Sequence, residues 1–124
     1  AKIFADKLVY VSGCGAGDGV VGKVGAAVSE ETAVACARRC MLNVLAVLKS
    51  EIGDLNRVRS VVKLTCFVAS ADDFTRQPVV ANGASGLLAE LFGEEVGLPT
   101  RSAVGMNVLP GDIPVEIEAL FEIE

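Results

Sequence analysis

The chain of 124 residues carries 11 basic and 16 acidic side chains, a formal net charge of −5, and contains neither histidine nor tryptophan. The missing histidine excludes Ser-His-Asp and Cys-His catalytic units, HExxH zinc helices and an imidazole base, leaving carboxylates, Arg, Lys, Cys, Ser, Tyr and backbone groups for any chemistry. The length is that of one domain, residues 1–124, and the 52% hydrophobic fraction, mostly Val, Ala and Leu, exceeds the usual share and points to an oligomer.

Residues 8–12, Leu-Val-Tyr-Val-Ser, are β-prone and stop at Gly13; six of the thirteen glycines then fall between Gly13 and Gly25, which predicts loops around a short strand. Ser29 followed by Glu30 and Glu31 is a helix start, because serine caps free amides and the carboxylates favour the positive end of the helix dipole. The helix is expected to run to about Ser50, with Ala33, Ala37, Cys40, Met41, Val44, Leu45 and Leu48 on its buried face. Residues 58–69, rich in β-branched side chains, predict a strand. A second helix follows Pro78 and ends near Phe92 at Gly93. Two strands close the chain, 101–108 and 115–124, around a Pro110-Gly111-Asp112 turn. In the last strand Val115, Ile117, Ala119, Phe121 and Ile123 share one face and Glu116, Glu118, Glu122 and Glu124 the other. The order strand, short strand, helix, strand, helix, strand, strand predicts a mixed sheet with both helices on one face and the other face left open for association.

No apolar run approaches the roughly 20 residues needed to span a bilayer, so no membrane partner is expected. The start lacks a signal-peptide pattern, although the chain begins at Ala1 and an upstream segment stays open. Cys14, Cys36, Cys40 and Cys66 contain no CxxC pair, and Cys36 and Cys40, four apart on a helix, are poorly placed for a disulfide. They read as reduced, mostly buried thiols in a cytoplasmic protein.

Gly17-Asp-Gly19-Val-Val-Gly22 has the letters of a dinucleotide fingerprint but does not lead directly into a helix, so a flexible hairpin loop is expected and no cofactor. Glu116 and Glu118 lie on one strand face without histidine or an Asp cluster, and no metal site is expected. Net charge and the absence of a basic stripe with interleaved aromatics count against nucleic acid; Arg57, Arg59 and Lys63 read as a solvated strand face. Arg101 opens a strand after Pro99-Thr100 and offers a rigid fork for a carboxylate. Composition alone favours a structural salt bridge between it and a nearby glutamate.

Thr100-Arg101-Ser102-Ala103-Val104, Leu109-Pro110 and Val115-Glu116-Ile117-Glu118-Ala119 resemble the closing signature of the YjgF/Rid family, the reactive intermediate deaminases, often labelled endoribonuclease L-PSP or translation inhibitor. Val11-Ser12-Gly13, Asn43-Val44-Leu45, Gly53-Asp54-Leu55 and Phe67-Val68 before Asp73-Phe74 are similar too, so the likeness covers essentially the whole chain. The resemblance implies a chorismate-mutase-like α+β fold, a homotrimer with its sheets packed into a central barrel, and three clefts between subunits. It also implies hydrolysis of enamine and imine acids of the 2-aminoacrylate type to 2-keto acids and ammonia, so that the partners are a second and third copy of the chain and a small carboxylate-bearing imine or keto acid. By the same resemblance Arg101 binds the substrate carboxylate, Glu116 serves the attacking water, and Ser12 lines the cleft. Asn82 matches a cleft asparagine on the second helix, with different spacing. Ala103 stands where many members carry cysteine. Two other readings are a non-catalytic carboxylate-binding or regulatory trimer and a ribonuclease, the last disfavoured by the acidic charge.

Overall fold

The structure, a computed structural model, describes residues 1–124. Period-two patterning does most of the folding. Val115, Ile117, Ala119, Phe121 and Ile123 of β5 (Val115–Ile123) are all buried while the glutamates between them stay partly exposed. The same alternation buries Leu64, Cys66 and Val68 of β3 (Val58–Ala69), on the face opposite Thr65 and Phe67.

With β1 (Lys2–Phe4), β2 (Leu8–Cys14) and β4 (Thr100–Met106), these strands form one sheet in the order β1-β2-β5-β3-β4. Only β3 and β4 are parallel. A parallel pair needs a crossover, and α2 (Gln77–Gly97) supplies it. The helix α1 (Glu30–Ile52) lies beside α2, and both contact the sheet on one face. The predicted two-helix mixed sheet is therefore the observed architecture, and no element of the chain covers the other sheet face.

Local chemistry sets the helix ends. Ser29 Oγ accepts from the Thr32 amide at 3.1 Å, Glu30 and Glu31 occupy the first turn of α1, and Gly53 at φ 86° closes it. In α2 the backbone leaves helical geometry at Gly93 (φ 78°, ψ 164°), so the continuous helix ends at Phe92 and a further turn follows. Mid-α2, Gly83 lies flush on α1: a Cβ there would stand 3.1 Å from the Val34 carbonyl carbon and closer still to its oxygen. The two helix backbones thus touch at this point.

Two expectations change. The short strand is β1, before β2, rather than a piece of the glycine-rich segment, where Val24 makes only isolated bridges to Val28 and Ser70. That segment is also no free hairpin. Asn43 Nδ2 of α1 donates to the Gly15 and Ala16 carbonyls at 2.8 and 3.1 Å, and the Val24 amide donates to Ala69 at 2.7 Å. Asp18, inside the dinucleotide-like letters, accepts from the Cys36 thiol at 3.4 Å. Gly17, Gly19 and Gly22 take positive φ and turn the chain, and α1 begins only at Glu30, with seven residues between it and Gly22. No helix is long and apolar enough to cross a membrane.

Candidate functional site

Register decides where each predicted site residue points. Arg101 pairs with Leu64, a helix-face residue, so its side chain leaves the edge strand β4 toward α2. There Nη1 donates to Asn82 Oδ1 at 2.7 Å and to Ser85 Oγ at 3.2 Å. Asn82 and Ser85 are three apart on α2 and therefore share one side of the helix. Ser85 is the only buried polar residue of the chain.

No glutamate neutralises Arg101. The ion pairs join Arg38 to Glu90, Arg39 to Asp18, Arg59 to Glu124 and Arg76 to Glu30. The salt bridge that composition favoured is absent, and the partners of Arg101 are both neutral. Because Nη1 makes all of its hydrogen bonds, the Nε and Nη2 edge of an exposed guanidinium keeps its donors free. A charged planar fork with one edge anchored and the other open is suited to a carboxylate.

Glu116 sits elsewhere. It pairs with Phe67, whose other neighbour is Val104, so its side chain leaves the open face of the sheet. One strand, β3, lies between it and Arg101, so the two stand two strand spacings apart, about 9.5 Å across, and a three-residue offset adds about 10 Å along the strands. Its carboxylate lies against Gly13: a Cβ on that glycine would stand 2.7 Å from Glu116 Cδ. Ser12 is exposed in the same stretch, where the β2 register slips between Val11 and Cys14. Burial, and after it the Glu116 charge, push the Cys14 thiol above its ordinary range.

The four predicted residues thus fall into two groups. Arg101 meets Asn82 on the helix side, Glu116 meets the Ser12–Gly13 stretch on the open side, and one chain does not bring the groups together. Sequence reasoning missed the role of Ser85. Its signal was a hydroxyl in a run otherwise made of Gly, Ala and Leu, three residues after Asn82.

Cys66 pairs with Ala103, so a thiol lies on the strand beside the alanine. It is fully buried, and burial pushes it up to about 12 against the lowering pull of Arg101, which makes it core rather than a site group. The basic residues 57, 59 and 63 are engaged structurally. Arg57 donates to the Ile52 and Glu124 carbonyls, Arg59 pairs with Glu124, and Lys63 donates to Ser102 Oγ at 2.8 Å. A cavity of about 300 Å³ opens at the far end of β4 among Ser70, Phe74, Gln77, Gly105, Met106 and Asn107, and includes no predicted site residue.

A sequence model of the family described as Endoribonuclease L-PSP matches residues 1–123. Among curated proteins, Protein TCP17 of Trypanosoma cruzi is 45% identical over 113 residues, 91% of this chain and 68% of that one. Among solved structures, the protein Atu1372 from Agrobacterium tumefaciens, of unknown function, superposes with a TM-score of 0.95 at 42% identity, over 99% of this chain and 79% of that one. The YjgF gene product of E. coli superposes with a TM-score of 0.60 at 26% identity, over 97% and 84%.

Proposed function

The chain belongs to the endoribonuclease L-PSP family, the YjgF/Rid proteins, and on that premise we propose that it hydrolyses short-lived imine and enamine acids of the 2-aminoacrylate type to 2-keto acids and ammonia. The observation that carries this reading is Arg101: a cation on an edge strand, held by two neutral groups of α2, with one donor edge free.

The reaction asks little of the protein. A protonated imine carbon is already electrophilic. Water adds to it, a proton is lost to base, and the carbinolamine expels ammonia as the carbonyl forms. The enzyme has to fix the carboxylate, place the water and accept its proton. Arg101 does the first. Glu116, an ionisable carboxylate in a chain without histidine, does the second and third, with Ser12 beside it. Asn82 and Ser85 hold the guanidinium in one orientation.

Since Arg101 and Glu116 leave opposite faces, one cleft needs Arg101 from one subunit and Glu116 from the next. The open face bears half-buried Phe67 and Leu120 at its centre and exposed Tyr10 and Val104 toward its two sides. Contact between two different patches is head-to-tail, and such contacts close into rings, of which a homotrimer is the proposed one.

Imines generated in situ by an amino-acid oxidase test the reading. The wild type is expected to accelerate their hydrolysis, and Arg101→Ala to return it to background with the oligomer intact. A wild-type rate at background overturns the proposal. So does a monomer in light scattering. One observation favours a second reading: the Arg101 receptor is complete within a single chain while Glu116 is not delivered to it, as a non-catalytic carboxylate binder requires. Keto-acid binding without imine hydrolysis would decide for that reading.

A further inference from the structure

We infer that Gly13 is a positioning residue for Glu116: the missing side chain at Gly13 is what lets the Glu116 carboxylate settle on the β2 backbone beside Ser12. The inference rests on the proposed hydrolysis only for what the carboxylate does there.

Two explanations for a glycine at this place can be separated. One is backbone conformation. Seven glycines of the chain have φ in the left-handed region, and Gly13 is not among them, so any residue can adopt its backbone. The other is space. A Cβ at Gly13 would stand 2.7 Å from Glu116 Cδ and 3.0 Å from Cγ, with Oε2 closer still, and those three atoms of one side chain are its nearest neighbours. Space is therefore what excludes a side chain, and the excluded volume is the carboxylate itself.

The surrounding register explains how the approach arises. Val11 pairs with Ala119 and Cys14 with Ile117, so β2 uses two intervening residues, Ser12 and Gly13, where β5 uses one. The extra residue bends β2 locally. It brings the Gly13 backbone under a side chain projecting from β5 farther along. Nothing rigid opposes a methyl group at Gly13: the clash is with the far end of a flexible side chain and not with backbone. A Gly13→Ala chain is therefore expected to fold and to displace Glu116, which separates positioning from stability.

Cys14 provides a readout that needs no turnover. Its thiol is raised by burial first and by the Glu116 charge second, with the amino group of Ala1 pulling the other way; the Cys40 thiol of α1 is the further titratable group near it and is itself raised by Cys14. The experiment follows the pH dependence of Cys14 alkylation by iodoacetamide, read peptide by peptide in the mass spectrometer, since Cys36, Cys40 and Cys66 are buried. Glu116→Gln is expected to move the midpoint down by removing the charge. Gly13→Ala is expected to move it down as well, by moving the charge away, and the double variant to move it no further than Glu116→Gln alone. A Gly13→Ala midpoint equal to wild type, or one shifted equally in the Glu116→Gln background, overturns the inference.

Should Gly13→Ala not fold, the pair Gly13→Ala/Glu116→Ala decides. Folding of the pair supports the inference, and its failure overturns it. The fate of the proposed reaction is read separately. Absent imine hydrolysis in the wild type ends that reaction and leaves the thiol result to judge Gly13, whereas wild-type hydrolysis unaffected by Gly13→Ala overturns the positioning role alone.

Discussion

The two helices lie side by side on one sheet face and are built in different ways. α1 carries its own stabilising signals: a serine cap, acids in its first turn, Lys49 in its last and a closing glycine. α2 has no side-chain cap at Arg76, no acid in its first turn, and two glycines, Gly83 and Gly86, before its turn at Phe92 and Gly93. Its order comes from what it packs against: the α1 backbone at Gly83, and β4 through the bonds from Arg101 to Asn82 and Ser85. The difference teaches that the polar side chains of a helix can serve its own ends or serve a site. The Ser29 cap of α1 does the first, and the Asn82–Ser85 pair of α2 instead holds Arg101 of β4, the proposed site residue.

Substitutions can sharpen or break that contrast. The largest effect is expected at Gly83→Ala, whose methyl group lands on the Val34 carbonyl and has to push the α1 and α2 backbones apart. A loss of roughly 2–3 kcal/mol in chemical denaturation is the scale of such overpacking. A loss near zero would mean that the backbones do not touch. Asn82→Ala comes next and acts on the site. Removing an acceptor from a charged donor is expected to weaken keto-acid binding about tenfold in calorimetry, with the melting temperature little changed because Asn82 is exposed. A fall in stability with unchanged binding would reverse the assignment of α2.

Ser29→Ala is expected to remove about 1 kcal/mol from the capped helix and leave binding alone. The smallest effect has the opposite sign. Gly86 has helical backbone and open space within 4 Å of a built Cβ, so Gly86→Ala is expected to stabilise α2 by about 0.5 kcal/mol. The same thermal melt measures both, and a destabilising Gly86→Ala would show that this glycine has a packing role.

The elements with strong periodicity were legible from the sequence. The strand at residues 58–69 matches β3 at both ends, and α1 begins where Ser29 says it should, because alternation and capping are local chemistry. β1 was not legible. It is three residues long, and the turn after it places Ala5 and Asp6 at positive φ, a conformation their side chains do not advertise. Strand β2 extends past Gly13 because its register slips there, which only the partner strand reveals. Arg101, Glu116, Ser12 and Asn82 were each singled out as candidates by resemblance. Their division between two sheet faces was not. It follows from the pairing of Arg101 with Leu64 and of Glu116 with Phe67, which are contacts distant in sequence. The Arg101 receptor also needed the fold, since composition offered plentiful acids as partners and only geometry shows that none reaches it.

β4 has a neighbour on one side only, and that neighbour reaches it through the α2 crossover rather than through a turn. Such an edge is where local opening begins, so its amides should be among the first in the sheet to exchange with solvent deuterium. An acid bound across Arg101 engages β4 only when the strand is docked on β3 and α2. Binding would then slow exchange along residues 100–106 in proportion to ligand saturation. Occupancy of the site becomes measurable as order in a strand, without any chemical turnover.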